Sequence, residues 1–218
     1  YGMPYQTVGS RFLDFPGHEK ATDYYRDLDI SKAVATTRYV VDGVTYQREV
    51  FTSFADNVLI VKLTASEKGK LNFSVSYDTP LPGKKVAARG KKLVLAGKGT
   101  DHEGVKGIIR METQTQAVLQ GGKMKVLADR MQVEGADEVI LYVSTATNFV
   151  DYKHANADES KRASNYLKLA MKQNYDTALA NHIAYYQEQF NRVKLDLGTS
   201  ASAKMETVER VAKFNEGK

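Results

Sequence analysis

The 218-residue chain contains no cysteine. Disulfides, thiolate metal sites and a cysteine nucleophile are thereby excluded, while the redox compartment stays open. Its four histidines stand at positions 18, 102, 154 and 182, at no ligand spacing, and H-E-x-x-H is absent, so neither a metal nor another cofactor is expected. A G-x-S-x-G nucleophile elbow is missing too. The stretch from Gly97 to Gly104, GKGTDHEG, fails both phosphate-binding patterns. No lysine-serine or lysine-threonine pair follows a second glycine at the required distance, and His102 stands where G-x-G-x-x-G needs its last glycine. No apolar run approaches the length of a bilayer-spanning helix, so no membrane partner is expected. The opening YGMPYQTVGSRF lacks a basic segment leading into an apolar one, and no signal peptide is read. Starting at Tyr1 rather than Met, the chain is expected to be a trimmed or processed product. Its 31 basic and 26 acidic residues leave a net charge of +5, too mild to call for a nucleic acid.

What the sequence does contain is alternation. AVATTRYVV and VTYQREVF flank Asp42-Gly43, a dipeptide that supplies the positive φ of a two-residue type I′ hairpin turn. VLIVKLTA follows, then the turn EKGK, then LNFSVSYD. In that last stretch Leu71, Phe73, Val75 and Tyr77 share one face, and Asn72, Ser74, Ser76 and Asp78 the other. The spacing predicts a four-stranded meander. Short strands are expected around Val86–Ala88 and Lys92–Ala96. Further on, VKGIIRMETQTQAVL, KMKVLA, RMQVEG and EVILYVST read as separate strands divided by Gly-Gly, Asp and Gly-Ala-Asp-Glu turns. Many short strands with frequent turns predict a mainly β fold, an antiparallel β-sandwich.

Near Asn148 the periodicity changes. Leu167, Met171, Tyr175, Leu179, Ile183, Tyr186, Phe190 and Val193 recur at intervals of three or four, one apolar stripe on a helical surface. Asp158 or Ser160 suits the N-cap. Asn174 reads as a helix end and Asp176 as the cap of a second helix. KLDLG returns to extended chain, TSASAK is a polar linker, and METVERVAKF is a last short helix. Helices that come after a sheet, rather than alternating with it, form an appendage. Tyr186 and Phe190 are expected to be largely buried.

Candidate chemistry is sparse. Asp101, His102 and Glu103 could form an acid–base cluster in a cleft, but the commoner arrangement is a solvated loop tip. Lys84, Lys85, Arg89, Lys91, Lys92 and Lys98 make a basic run with no aromatic among them to stack a base. Charges on an edge hairpin also discourage edge-to-edge pairing, which is the preferred reading. Asp14, Asp23, Asp27 and Asp29 are dense near the start, yet no spacing shows two of them facing each other as sugar hydrolysis requires. Tyr24, Tyr25, Tyr39, Tyr46, Phe51 and Phe54 could present ring faces to a sugar, although most occupy alternating positions that a sandwich buries. His182 reads as a packed, hydrogen-bonded histidine. No catalytic, cofactor-binding or metal-binding residue is assigned.

YQTVGSRFLDF, followed by YYRDLDISKAVATTRYVVDGVTYQREVFTSFADNVLIVKLTA, resembles the N-terminal β-sandwich of glycoside hydrolase family 95, the α-L-fucosidases with some α-L-galactosidases. ATNFVDY and HIAYYQEQFNRVKLDLG resemble that family's helical linker, and ERVAKFNEGK resembles the segment before its catalytic barrel. The resemblance implies a super-sandwich over residues 1–150, a helical linker over 151–198 and a lead-in to an α/α barrel over 199–218. It implies a non-catalytic front part of an enzyme that cleaves fucosylated glycans with inversion. The catalytic residues would lie in the barrel and not in this chain, so the barrel is the expected intramolecular partner. A periplasmic or secreted bacterial location is implied in the same way. The family's opening glycine-rich segment has no match before Tyr5, so truncation at both ends is expected. A free-standing carbohydrate-binding module is the alternative.

Overall fold

The computed structural model describes residues 5–215. Two compact units lie along the chain, Tyr1–Gln187 and Glu188–Lys218. The first is a β-sandwich carrying two helices. Its strands are β1 (Ser10–Asp14), β2 (Thr22–Asp29), β3 (Val34–Val41), β4 (Val44–Ser53), β5 (Val58–Ala65), β6 (Leu71–Asp78), β7 (Lys85–Arg89), β8 (Lys92–Lys98), β9 (Arg110–Val126) and β10 (Arg130–Thr147). All pairings are antiparallel, and the main path runs β2-β3-β4-β5-β10-β9-β8-β7.

The Asp42-Gly43 turn forms as its residues dictate, with φ of 50° and 79°. β3, β4 and β5 are a meander, but the predicted fourth member leaves it. β6 pairs with β1 and with the first half of β10, Arg130 to Ala136, whereas β5 pairs with the second half, Glu138 to Ser144. One long strand therefore serves both sides of the sandwich. The glycine turns expected inside the last strands are a second correction. Gly121, Gly122 and Gly135 do take positive φ, at 69°, 68° and 65°, but the register merely shifts there and the strands run on for 17 and 18 residues. A bulge uses the same left-handed backbone as a turn, so the local chemistry is alike and only the pairing partner tells them apart.

Leu71, Phe73 and Val75 of β6 pack with Tyr39, Tyr46, Val61, Leu63, Met131 and Leu141, among others, in the main core. The predicted alternation of β6 holds, with Asn72 and Asp78 exposed. β5 is apolar on both faces: Val61 and Leu63 enter the main core, while Val58 and Ile60 enter a second one beneath the helices.

Helix α1 (Glu159–Ala170) is capped by Asp158, whose side chain accepts from the Lys161 N–H, and it buries Ala163, Leu167 and Ala170. Those positions, i, i+4 and i+7, are one helical face. Helix α2 (Tyr175–Phe190) is capped by Asn174, which accepts from the Thr177 N–H at 2.8 Å. Asp176 lies in the first turn instead, where its charge favours the helix N-terminus. The buried face of α2 is Tyr175, Ala178 and His182, not the full predicted stripe. Ala178 lets the helix approach closely; Leu179, Ile183 and Tyr186 are half-buried, and Phe190 remains 38% exposed.

In the second unit, Gly198 (φ 74°) donates to Asp196, a 3-10 turn spans Ala201–Lys204, and α3 covers Thr207–Asn215. Val208, Val211 and Phe214, three residues apart, are all exposed.

Candidate functional site

Three places on the first unit gather polar and aromatic side chains. The first lies beneath α1. Arg89 donates to both carboxylate oxygens of Glu112, at 2.9 and 3.0 Å, and to Ser160 at 2.8 Å. Lys92 reaches Gln114 and Ser164, each at 2.8 Å, and Gln114 donates to Glu112 and to the Ser160 carbonyl. Glu112 and Gln114 are buried, at 4% and 1% exposure, and burial lowers the Lys92 pKa. Two members of the basic run thus fasten α1 to the sheet, Arg89 while keeping half of its side chain in solvent. Beside this network, Arg110 holds Glu159 through two bonds of 2.7 and 3.0 Å, lowering the Glu159 pKa, at the edge of a cleft of ≈ 650 Å³. Lys85, Lys98 and Asp101 line the same cleft.

The second is one end of the sandwich. Asn148, with 0% exposure, accepts from the Arg110 N–H at 2.8 Å and donates to the carbonyls of Ile108 and Ala155, at 3.1 and 2.6 Å. Three of the four hydrogen bonds that an asparagine side chain can make thus tie two loops together. Their tips carry exposed Val105, Ile108, Phe149, Val150 and Tyr152. Sequence reasoning passed over Asn148; its one legible sign was that the periodicity changes there.

The third is aromatic. Tyr39 and Tyr46 stack at 5.6 Å, and Tyr24 stacks on Tyr39 at 6.5 Å. His18 lies 4.4 Å from Tyr46 and 5.1 Å from Phe15, with Nδ1 2.9 Å from the Tyr39 hydroxyl. Burial lowers the His18 pKa and raises that of Tyr39, so both are neutral near pH 7. A cleft of ≈ 330 Å³ opens here, with Asp14 and Glu19 on its rim.

The other sequence candidates do not converge. His102 sits in a loop paired with Val105, and Asp101 turns to the Gly107 N–H. His154 bonds Asp151, and Asp29 bonds Ser31 and Lys32, which hold its pKa at about 2. His182 is the packed histidine expected, 5% exposed. Among the described residues no three His, Cys, Asp or Glu side chains group as metal ligands, and no helix is long and apolar enough to cross a membrane.

Residues 1–152 match the sequence signature described as glycosyl hydrolase family 65, N-terminal domain. The chain belongs to this family. Among curated proteins it is 33% identical over 238 aligned residues to "Alpha-L-fucosidase 2" of Arabidopsis thaliana, covering 94% of this chain and 27% of the relative. It is 26% identical over 230 residues to "Probable alpha-fucosidase A" of Aspergillus niger, covering 99% and 28%. The chain thus spans about a quarter of the length of these relatives. A solved structure, "Putative kojibiose phosphorylase from human microbiome", shares the fold at a TM-score of 0.54 and 11% identity, over 78% of this chain and 25% of that one. The family 65 N-terminal domain thus meets the resemblance to family 95 at the level of a glycoside hydrolase N-terminal domain with α-fucosidase relatives.

Proposed function

We propose that this chain is the non-catalytic N-terminal part of a family 95 α-L-fucosidase. The parent enzyme hydrolyses terminal α-L-fucosyl linkages of glycans, α-1,2 in particular, with inversion. The observation that carries this reading is the match of nearly the whole chain, in order, to one quarter of two relatives named as α-fucosidases. Residues 1–150 are the sandwich, 151–198 the linker and 199–218 the lead-in to an α/α barrel that holds the catalytic residues. The apolar loop tips around Asn148 support a bracing role, because exposed Ile, Val, Phe and Tyr side chains on one end of a domain suit burial against another. Inversion needs a general acid on one side of the sugar and an activated water on the other, both placed in the barrel. The test is made on the parent polypeptide, by following proton resonances of the first fucose released from 2′-fucosyllactose. β-Fucose as the first-formed anomer is expected. First-formed α-fucose, or no fucose release by the parent, overturns the reading.

A further inference from the structure

The support role makes no use of the aromatic cleft between β1, β2 and β3. β2 is the end strand of the sheet, and a register shift between Thr22 and Tyr25, with Asp23 at φ 49°, interrupts its alternation. The two neighbouring tyrosines consequently go different ways. Tyr25 meets the Arg38 guanidinium at 5.8 Å, whereas Tyr24 stacks on Tyr39 with its ring 20° from parallel. Tyr24 continues the buried Tyr46–Tyr39 stack out to the surface, where it is 62% exposed. A tyrosine ring with one face backed by another ring is a rigid platform, and its outer face is available without an ordering cost.

Polar groups stand beside the platform. His18 is fixed among Phe15, Tyr39 and Tyr46 and spends Nδ1 on the Tyr39 hydroxyl. Whichever tautomer that bond selects, Nε2 retains one hydrogen-bonding function, as donor or as acceptor. The exposed carboxylates of Asp14 and Glu19 on the rim add acceptors only. Hydroxyl groups are the donors that match two carboxylates and a neutral imidazole, while an anion would meet charge repulsion from both acids. A pyranose has this composition: an apolar C–H face to lie on Tyr24 and a hydroxyl edge to reach the rim. The opening, ≈ 330 Å³, falls within the range of about 300–1,000 Å³ typical of ligand clefts.

We infer that the cleft bounded by Tyr24, Tyr39, His18, Asp14 and Glu19 is a binding site for a neutral sugar, separate from any hydrolytic centre. It would hold a glycan on the front domain and raise its local concentration. The inference does not rest on the fucosidase reading and survives if the parent cleaves another linkage.

The experiment is a titration of the 218-residue chain with 2′-fucosyllactose and, separately, lactose, followed by calorimetry and by saturation-transfer difference NMR. Binding of at least one of the two with a Kd of about 1 mM or tighter is expected. Tyr24→Ala should weaken it at least about tenfold, as losing a stacking platform does. Phe54→Ala, which removes another exposed ring stacked at 4.9 Å on Tyr185, should leave it unchanged. Tyr24 is exposed, so its replacement leaves the core intact, and an unchanged unfolding midpoint verifies this. No binding of either sugar, binding that Tyr24→Ala leaves intact, or equal loss in both variants overturns the proposal.

Discussion

The His182 imidazole lies on the Phe51 ring, centroids 4.8 Å apart and planes within 27°, and this contact joins α2 to β4. From that position Nε2 faces the carbonyls of Lys32 and Ala33 at 3.0 and 3.2 Å. One turn further on, the Tyr186 hydroxyl donates to the Ile30 carbonyl at 2.7 Å and Gln187 to that of Ser31 at 3.0 Å. The β2–β3 turn offers carbonyls that no strand uses, and α2 supplies the donors. Backbone acceptors left unpaired at such a junction would be costly, so the helix completes the sheet.

Replacing His182 by alanine removes the ring from the Phe51 contact and leaves two carbonyls without their donor. A loss of about 2–4 kcal/mol is expected, read from the urea midpoint at unchanged slope. Tyr186→Phe, which deletes the exposed bond to the Ile30 carbonyl, should cost about 0.5–1.5 kcal/mol.

Asn148→Ala should free both loops at the apolar end. The Arg110 N–H and the carbonyls of Ile108 and Ala155 lose their common partner, for about 2–4 kcal/mol in all. Amide exchange should quicken over residues 99–109 and 149–157 before it does so in β3 to β5.

Two glycines with nearly the same φ should respond differently. At Gly43, φ 79°, an added Cβ meets nothing within 4 Å, so alanine costs only the left-handed backbone penalty, about 1–2 kcal/mol. At Gly122, φ 68°, a Cβ would stand 2.5 Å from the Ala136 nitrogen and from the Glu134 carbonyl oxygen. Backbone atoms cannot step aside as a side chain can. Gly122→Ala should cost about 3 kcal/mol or more in thermal or urea unfolding.

Acid should loosen the start of α1. Arg110 hydrogen-bonds the Glu159 carboxylate and lowers its pKa from 4.5. The folded state therefore binds that proton less readily than the unfolded one. The stabilisation is present in full above pH 4.5 and is lost as pH falls through the lower folded value. With Arg110 half exposed, the pair contributes about 0.5–1 kcal/mol. Glu159→Gln should be less stable than the parent by that amount at neutral pH, and the gap should close on acidification in parallel unfolding curves.

Much of this architecture is legible in the residues themselves. Asp42-Gly43, the alternation of Leu71 to Tyr77 and the split of the helices between Ala170 and Tyr175 follow from local chemistry, and the structure reproduces them. Pairing partners do not. Nothing near β6 says that it passes over β5 to join β1 and β10, and the positive φ of Gly121 and Gly122 serves a bulge as readily as a turn. Asn174 and Asp176 are both good caps, and the choice between them depends on where the helix meets the sheet. Arg89 and Lys92 read as edge charges and nothing more, because their partners, Glu112 and Ser164, lie 23 and 72 residues away. The aromatic cleft was half legible: the tyrosines were visible, but which of them stays exposed follows from a register shift at Asp23.

We propose that this chain braces a sugar-cleaving domain and does no cleaving itself. The decisive measurement incubates the purified 218-residue chain with 2′-fucosyllactose and assays free fucose. No release above the enzyme-free control is the predicted result. Sustained release by a homogeneous preparation would contradict the account.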